Sequence, residues 1–107
     1  MITVSVARDF TRFPAGRYKK NGDTSGEAFR ERFLEPPLRD GKHVVVEFDG
    51  TVGYGSSFLE EAFGGLIRSL RLAPEAVLSH LTLQSSDPSI VDEIKEYIRD
   101  AGNVSST

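Results

Sequence analysis

The chain has 107 residues, 38% hydrophobic and 27% charged, with net charge −3, no cysteine and two histidines. That length predicts one domain with a single core. The composition excludes thiolate catalysis and cysteine zinc sites, leaves only His43 and His80 for a metal cage, and offers no apolar run near the ~20 residues that cross a bilayer. With no signal-like segment at the amino end, the expectation is a cytoplasmic protein without a metal or other cofactor.

In chain order, Ile2 to Ala7 alternates apolar with small polar residues, the period of a half-buried strand at or next to a sheet edge. Pro14, Gly16, Asn21-Gly22 and Gly26 then crowd one segment with turn formers. Arg17-Tyr18-Lys19 is its one stretch able to extend, so a loose hairpin is expected there. Residues 1–24 carry Arg8, Arg12, Arg17, Lys19 and Lys20 against Asp9 and Asp23, a net +3, so the overall −3 places −6 on the remainder. Phe10, Phe13 and Tyr18 interleave with these cations. The pattern fits a strip for single-stranded nucleic acid or a phosphate-bearing ligand, and equally a solvated hairpin with tucked aromatics; the acidity of the whole chain favours the second. Thr24-Ser25-Gly26-Glu27 has capping-box spacing, and Phe29, Phe33 and Leu34 give a first helix its apolar face to about Glu35, where Pro36-Pro37 end or kink it.

Asp40-Gly41-Lys42 turns the chain into Val44, Val45, Val46 and Phe48, the β-branched and aromatic run of a buried central strand, closed by Asp49-Gly50. In the following helix Phe58, Leu59, Ala62, Phe63, Leu66, Ile67 and Leu70 fall on one face, with Ser56 and Ser57 at the start, where caps belong. Residues 73–78 form a helical turn and His80 to Ser85 alternates as a third strand. A last helix has Asp87 as cap and Pro88 in first position, and it buries Ile90, Val91, Ile94, Tyr97, Ile98 and Ala101 as far as Gly102. Asn103 to Thr107 is expected to fray. Strand and helix alternate three times, which makes the fold α/β: a small, mixed but mostly parallel sheet of about three to five strands with three main helices packed on it.

No catalytic constellation emerges. Gly53-Tyr54-Gly55-Ser56-Ser57 lacks the second glycine of a nucleophile elbow, and it lacks the lysine and spacing of a phosphate loop. Two readings of it remain. Free N–H groups where a glycine loop enters a helix favour an anion or a phosphorylated serine; alternatively, Gly53 and Gly55 only make a tight turn while a serine caps the helix. Further along, Ser57, Glu61, Gly64 and Arg68 share a narrow sector opposite the apolar stripe, at about 100° per residue. The Gly64-Gly65 pair is costly in a helix interior. It points either to close approach of another backbone at Gly64 or to relief of crowding against the domain's own sheet at Gly65.

Gly16-Arg17-Tyr18, Ser25-Gly26-Glu27 with Phe29-Arg30, Val45-Val46-Glu47-Phe48-Asp49-Gly50 and above all the block from Gly53 to Gly65 resemble the STAS-like domain of unknown function, a relative of the STAS domains of anti-sigma factor antagonists. The resemblance covers most of the chain. It implies a single STAS-like domain over 1–107 with a sheet on one side and helices on the other, no enzymatic activity, and regulation through protein contacts. In antagonist domains the helix after the central strand opens with Asp-Ser-Ser/Thr-Gly, and a histidine-kinase-like ATPase phosphorylates the first serine. Here Gly55 stands at the aspartate, Ser56 at that serine and Phe58 at the glycine. The resemblance therefore implies Ser56, with Ser57 beside it, as the candidate phosphorylation site and an ATPase of that kind as candidate partner. The docking surface expected on the helix is Tyr54, Gly55, Ser57, Glu61, Gly64 and Arg68. A second expectation is a nucleotide or phosphate bound where Arg17, Lys19 and Lys20 converge with Gly53 and Gly55. A third, nucleic-acid binding by the basic arm, runs against the net acidity.

Overall fold

Val44, Val45 and Val46 are all buried, and β-branched side chains buried on both faces of one strand place that strand in the middle of a sheet. The structure, a computed structural model, describes the backbone of residues 1–105. Strands β1 (Ile2–Ser5), β2 (Val44–Glu47) and β3 (Leu81–Gln84) form a wholly parallel sheet in the order β1-β2-β3. Ile2 pairs with Val44, and Val44 with Leu81. With a side-chain period of two, Ile2, Val4, Val44, Val46, Leu81 and Leu83 share one face and pack into the hydrophobic core, while Thr3, Val45 and Thr82 line the other. The helices cover the first face alone.

Helix α1 spans 26–39 as Gly26–Phe29, a π turn Arg30–Leu34, and Glu35–Arg39. Helix α2 spans 56–70 in the same way: Ser56–Leu59, a π turn Glu60–Gly64, and Gly65–Leu70. A short α3 (Pro74–Ser79) and the long α4 (Pro88–Ser105) complete the chain. The Ser25 hydroxyl starts α1 by accepting the Ala28 N–H at 3.1 Å, while the Glu27 carboxylate turns outward to the Lys19 N–H at 2.8 Å. Pro36-Pro37 do not end this helix. The preceding π turn, closed by the Glu35 N–H on the Arg30 carbonyl, puts the prolines in the first turn of a new α segment, where a missing N–H costs little.

Two other expectations are corrected. No hairpin forms in 1–24: residues 19–21 make a 3₁₀ turn, and the loop instead folds back on α1 through Gly26 N–H to Gly16 O and Glu27 N–H to Arg17 O. Of its aromatics only Phe10 tucks in, 5.4 Å from the Phe29 ring, while Phe13 and Tyr18 stay exposed. The last helix passes Gly102, whose missing side chain admits Pro74 of α3, and the stretch expected to fray is helical through Ser105. Residues 106–107 lie outside the described residues. Asp87 caps α4 as expected, its carboxylate accepting the Ser89 N–H at 3.0 Å.

Candidate functional site

Three loops meet at the carboxyl end of the sheet: 6–25, 48–55 and 85–87. Short polar links hold them in place. Asp49 Oδ1 accepts the Ser86 N–H at 2.9 Å and its hydroxyl at 3.0 Å. The Tyr54 hydroxyl donates to the Phe48 carbonyl at 2.7 Å, and burial of that phenol pushes its pKa up to about 12. The Val52 N–H donates to the Arg12 carbonyl at 2.9 Å and ties the first loop to the second. On either side of that bond the chain exposes an apolar residue, Phe13 at 62% and Val52 at 69%. Gly53 has φ 143°, a conformation open to glycine and strained for other residues.

The helix start differs from the expected cap. Gly55 is the N-cap, with extended backbone, and its carbonyl takes the Leu59 N–H at 3.2 Å. Ser56 is therefore already the first helical residue and is not the cap. Both serines are exposed, and among the described residues neither hydroxyl has a hydrogen-bond partner.

Behind this first turn α2 is buried almost throughout, which overturns the expected docking face. Gly64 packs beneath α4, 3.4 Å from the Tyr97 carbonyl at its missing Cβ position. A backbone does approach it closely, and it is the domain's own. Glu61 is buried as well, gripped by Arg30, which donates from Nη1 to the Glu61 carbonyl at 2.6 Å and to its carboxylate at 2.7 Å. Arg30 Nε binds Glu35 Oε2 at 2.8 Å, and Arg39 and Ser69 complete Glu35. Gly65 is a glycine because the Arg30 guanidinium fills the space a side chain would take, so the crowding it relieves comes from α1 and not from the sheet. Burial pulls the Arg30 pKa down and that of Glu35 up, but their hydrogen bonds outweigh it and leave Arg30 raised and Glu35 lowered. Of the six expected docking residues, Gly55 and Ser57 are exposed at the start of α2, Tyr54 is half-buried against Phe48 and Phe58, and Arg68 is exposed at the far end of α2; Glu61 and Gly64 are inside.

The expected convergence on an anion does not form. Arg17 is bound by Glu60 and Glu61, which Arg68 also holds, and Lys19 by Glu31 at 2.6 Å. Lys20 lies over the Tyr18 ring. The cations at the carboxyl end are instead Arg8 and Arg12, on the wall of an open cleft of about 870 Å³ with Asp49, Ser85 and Ser86. Arg8 is already paired with Glu47 at 3.1 Å. The strand order never reverses, so the sheet lacks the crevice between diverging crossovers in which open α/β sheets hold nucleotides. Among the described residues no acid or histidine cluster is spaced to hold a metal ion, and no helix is long and apolar enough to cross a membrane.

The sequence did not point to Val52 or to the pairing of Arg30 with Glu35 and Glu61, and it placed Phe13 only among the basic residues of the first loop. A charge next to Phe29 on the apolar side of α1 was the available signal for Arg30.

A parallel sheet covered by helices on one face, with its loops gathered at the carboxyl end around the first turn of a buried helix, defines a small one-sided α/β domain. Residues 25–91 match the family described as a STAS-like domain of unknown function, and the chain belongs to that family. No curated protein and no solved structure matches the chain.

Proposed function

We propose that this domain is a non-enzymatic regulatory module of the cytoplasm that binds a protein partner through the loops at the carboxyl end of its sheet, and that phosphorylation of Ser56 by a histidine-kinase-like ATPase switches that binding. One observation carries the reading: the first turn of an otherwise buried helix presents two exposed, unbonded serine hydroxyls at the same end as the exposed Phe13 and Val52. Phe13, Val52 and Tyr54 supply apolar contact, and Ser56 supplies the point of control. A phosphoryl group there meets free N–H donors and the positive end of the helix dipole, a gain of roughly 0.3 to 2 kcal/mol, so modification leaves the fold intact. Ser56 and Ser57 precede Glu60 and Glu61 by one turn, and those carboxylates hold Arg17. The added charge competes for that guanidinium and loosens the 13–25 loop that carries Phe13.

The test begins with copurification of the partner, whose affinity is then measured for wild type, Ser56→Ala and Ser56→Asp with melting temperatures in parallel. The expected result is unchanged binding for Ser56→Ala and at least tenfold weaker binding for Ser56→Asp at similar melting temperatures. Equal affinities across all three proteins would leave the domain a constitutive binder and remove the switch.

A further inference from the structure

The two edges of the sheet differ in what closes them. In a parallel ladder alternate residues bond to one neighbour. Ile2 N–H meets His43 O, so Thr3 and Ser5 face outward from β1, and there the Asp9 carboxylate takes the Ser5 N–H at 2.7 Å. On β3 the Val44 N–H meets His80 O and the Phe48 N–H meets Gln84 O. Thr82 and Gln84 therefore serve β2, and the backbone groups of Leu81 and Leu83 point outward. Among the described residues nothing bonds to them.

Along this edge runs a groove of about 340 Å³ whose apolar wall is Leu78, Leu81, Leu83 and Val91. The charges of α4 are sorted around it. Asp92, Glu93, Glu96 and Asp100 fall off the groove, while the helix's only two cations, Lys95 and Arg99, follow Val91 at four-residue steps and form one row beside the strand. Arg99 approaches Glu75 at 3.8 Å; Lys95 has no carboxylate among the described residues.

We propose that the free edge of β3 and the row Val91, Lys95, Arg99 receive an extended segment of a partner protein, apolar with a central acidic residue, as a fourth strand. The outward groups of Leu81 and Leu83 bond its backbone, Leu78 and Val91 take its apolar side chains, and Lys95 takes its carboxylate. With Arg99 drawn to Glu75, Lys95 is the groove cation left to receive a carboxylate, which favours an acidic strand over a neutral or basic one. The groove includes neither Ser56 nor Ser57 and is tested independently of them.

The probe is the acetylated, amidated heptapeptide Thr-Val-Thr-Glu-Thr-Val-Thr, titrated to millimolar concentration into the ¹⁵N-labelled chain, with lysine replacing glutamate in the control. The expected result is slowed hydrogen exchange of the Leu81 and Leu83 amides, affinity at least tenfold greater for the glutamate peptide, and reversed preference in Lys95→Glu. Unchanged Leu81 and Leu83 amides, equal affinity for both peptides, or sedimentation showing a dimer that Lys95→Glu alters would each overturn the proposal.

Discussion

Replacing a helix-interior glycine by alanine ordinarily stabilises a protein by about 1 kcal/mol. At Gly65 the sign should invert. The added methyl overlaps Arg30 Nη1 and stands 2.9 Å from Cζ and 3.2 Å from Cδ, so the guanidinium has to leave. Its bonds to the Glu61 carbonyl and to the Glu61 and Glu35 carboxylates go with it. Glu35 retains Arg39 and Ser69, and Glu61 retains its longer contacts to Arg17 and Arg68. Removing one member of a buried ion network costs about 3–5 kcal/mol, and the retained partners place this case at the low end. After the gain in helix propensity the net loss is about 2 kcal/mol, which for a domain of this size lowers Tm by roughly 8–16 °C. In an Arg30→Ala background the same methyl enters vacated space, and Gly65→Ala should raise Tm by roughly 4–8 °C. Thermal unfolding of the four proteins by circular dichroism completes the cycle. An equal penalty in both backgrounds would refute Arg30 as the reason for the glycine.

Gly64→Arg should abolish cooperative unfolding, because even a Cβ there lies 2.5 Å from Glu60 Oε2 and the rest of the side chain would have to displace α4; a variant with a wild-type melt would return Gly64 to the surface. Stability should also fall in acid. Glu35 and Glu60 are pulled up by burial but lowered below 4.5 overall by hydrogen bonds, from Arg30 and Ser69 in the first case and Arg68 and Arg17 in the second. Their contribution is therefore complete above 4.5 and lost as the pH drops through the lower, folded-state values. A Tm that stays level well below pH 4.5 would show that these carboxylates add nothing.

Local pattern reached the strands and the course of α2 because both follow from residues within a few positions of one another. Three valines in succession have few settings other than a central strand, and the apolar stripe of α2 has an unbroken helical period. The docking face failed because periodicity sorts polar from apolar and treats polar as exposed. Glu61 is polar and buried, its charge answered by Arg30 from 31 positions away, and no window on the sequence contains both. Gly64 carries no hydropathic sign at all, so only the passage of α4 across it reveals that it lies inside. The hairpin failed for a related reason: Arg17 and Lys19 are drawn to Glu60, Glu61 and Glu31, which lie on helices, and away from each other. The start of α2 was legible to within one residue, since glycine and serine both serve as N-caps and only the backbone angles choose Gly55.

The order of the strands bears on how the chain acquires its shape during synthesis. Each ladder joins segments roughly forty residues apart, so no pair of strands forms from a local hairpin, and folding is slower than the helical content alone would dictate. Helix α2, with Phe58 and Phe63 among the largest buried side chains, emerges before β3, and α4, which covers Gly64 and contributes Ile94 and Ile98, emerges after both. Until α4 leaves the ribosome the apolar surface of α2 has no cover on that side. The nascent chain therefore depends on the emergence of α4, or on a chaperone, to stay out of aggregates.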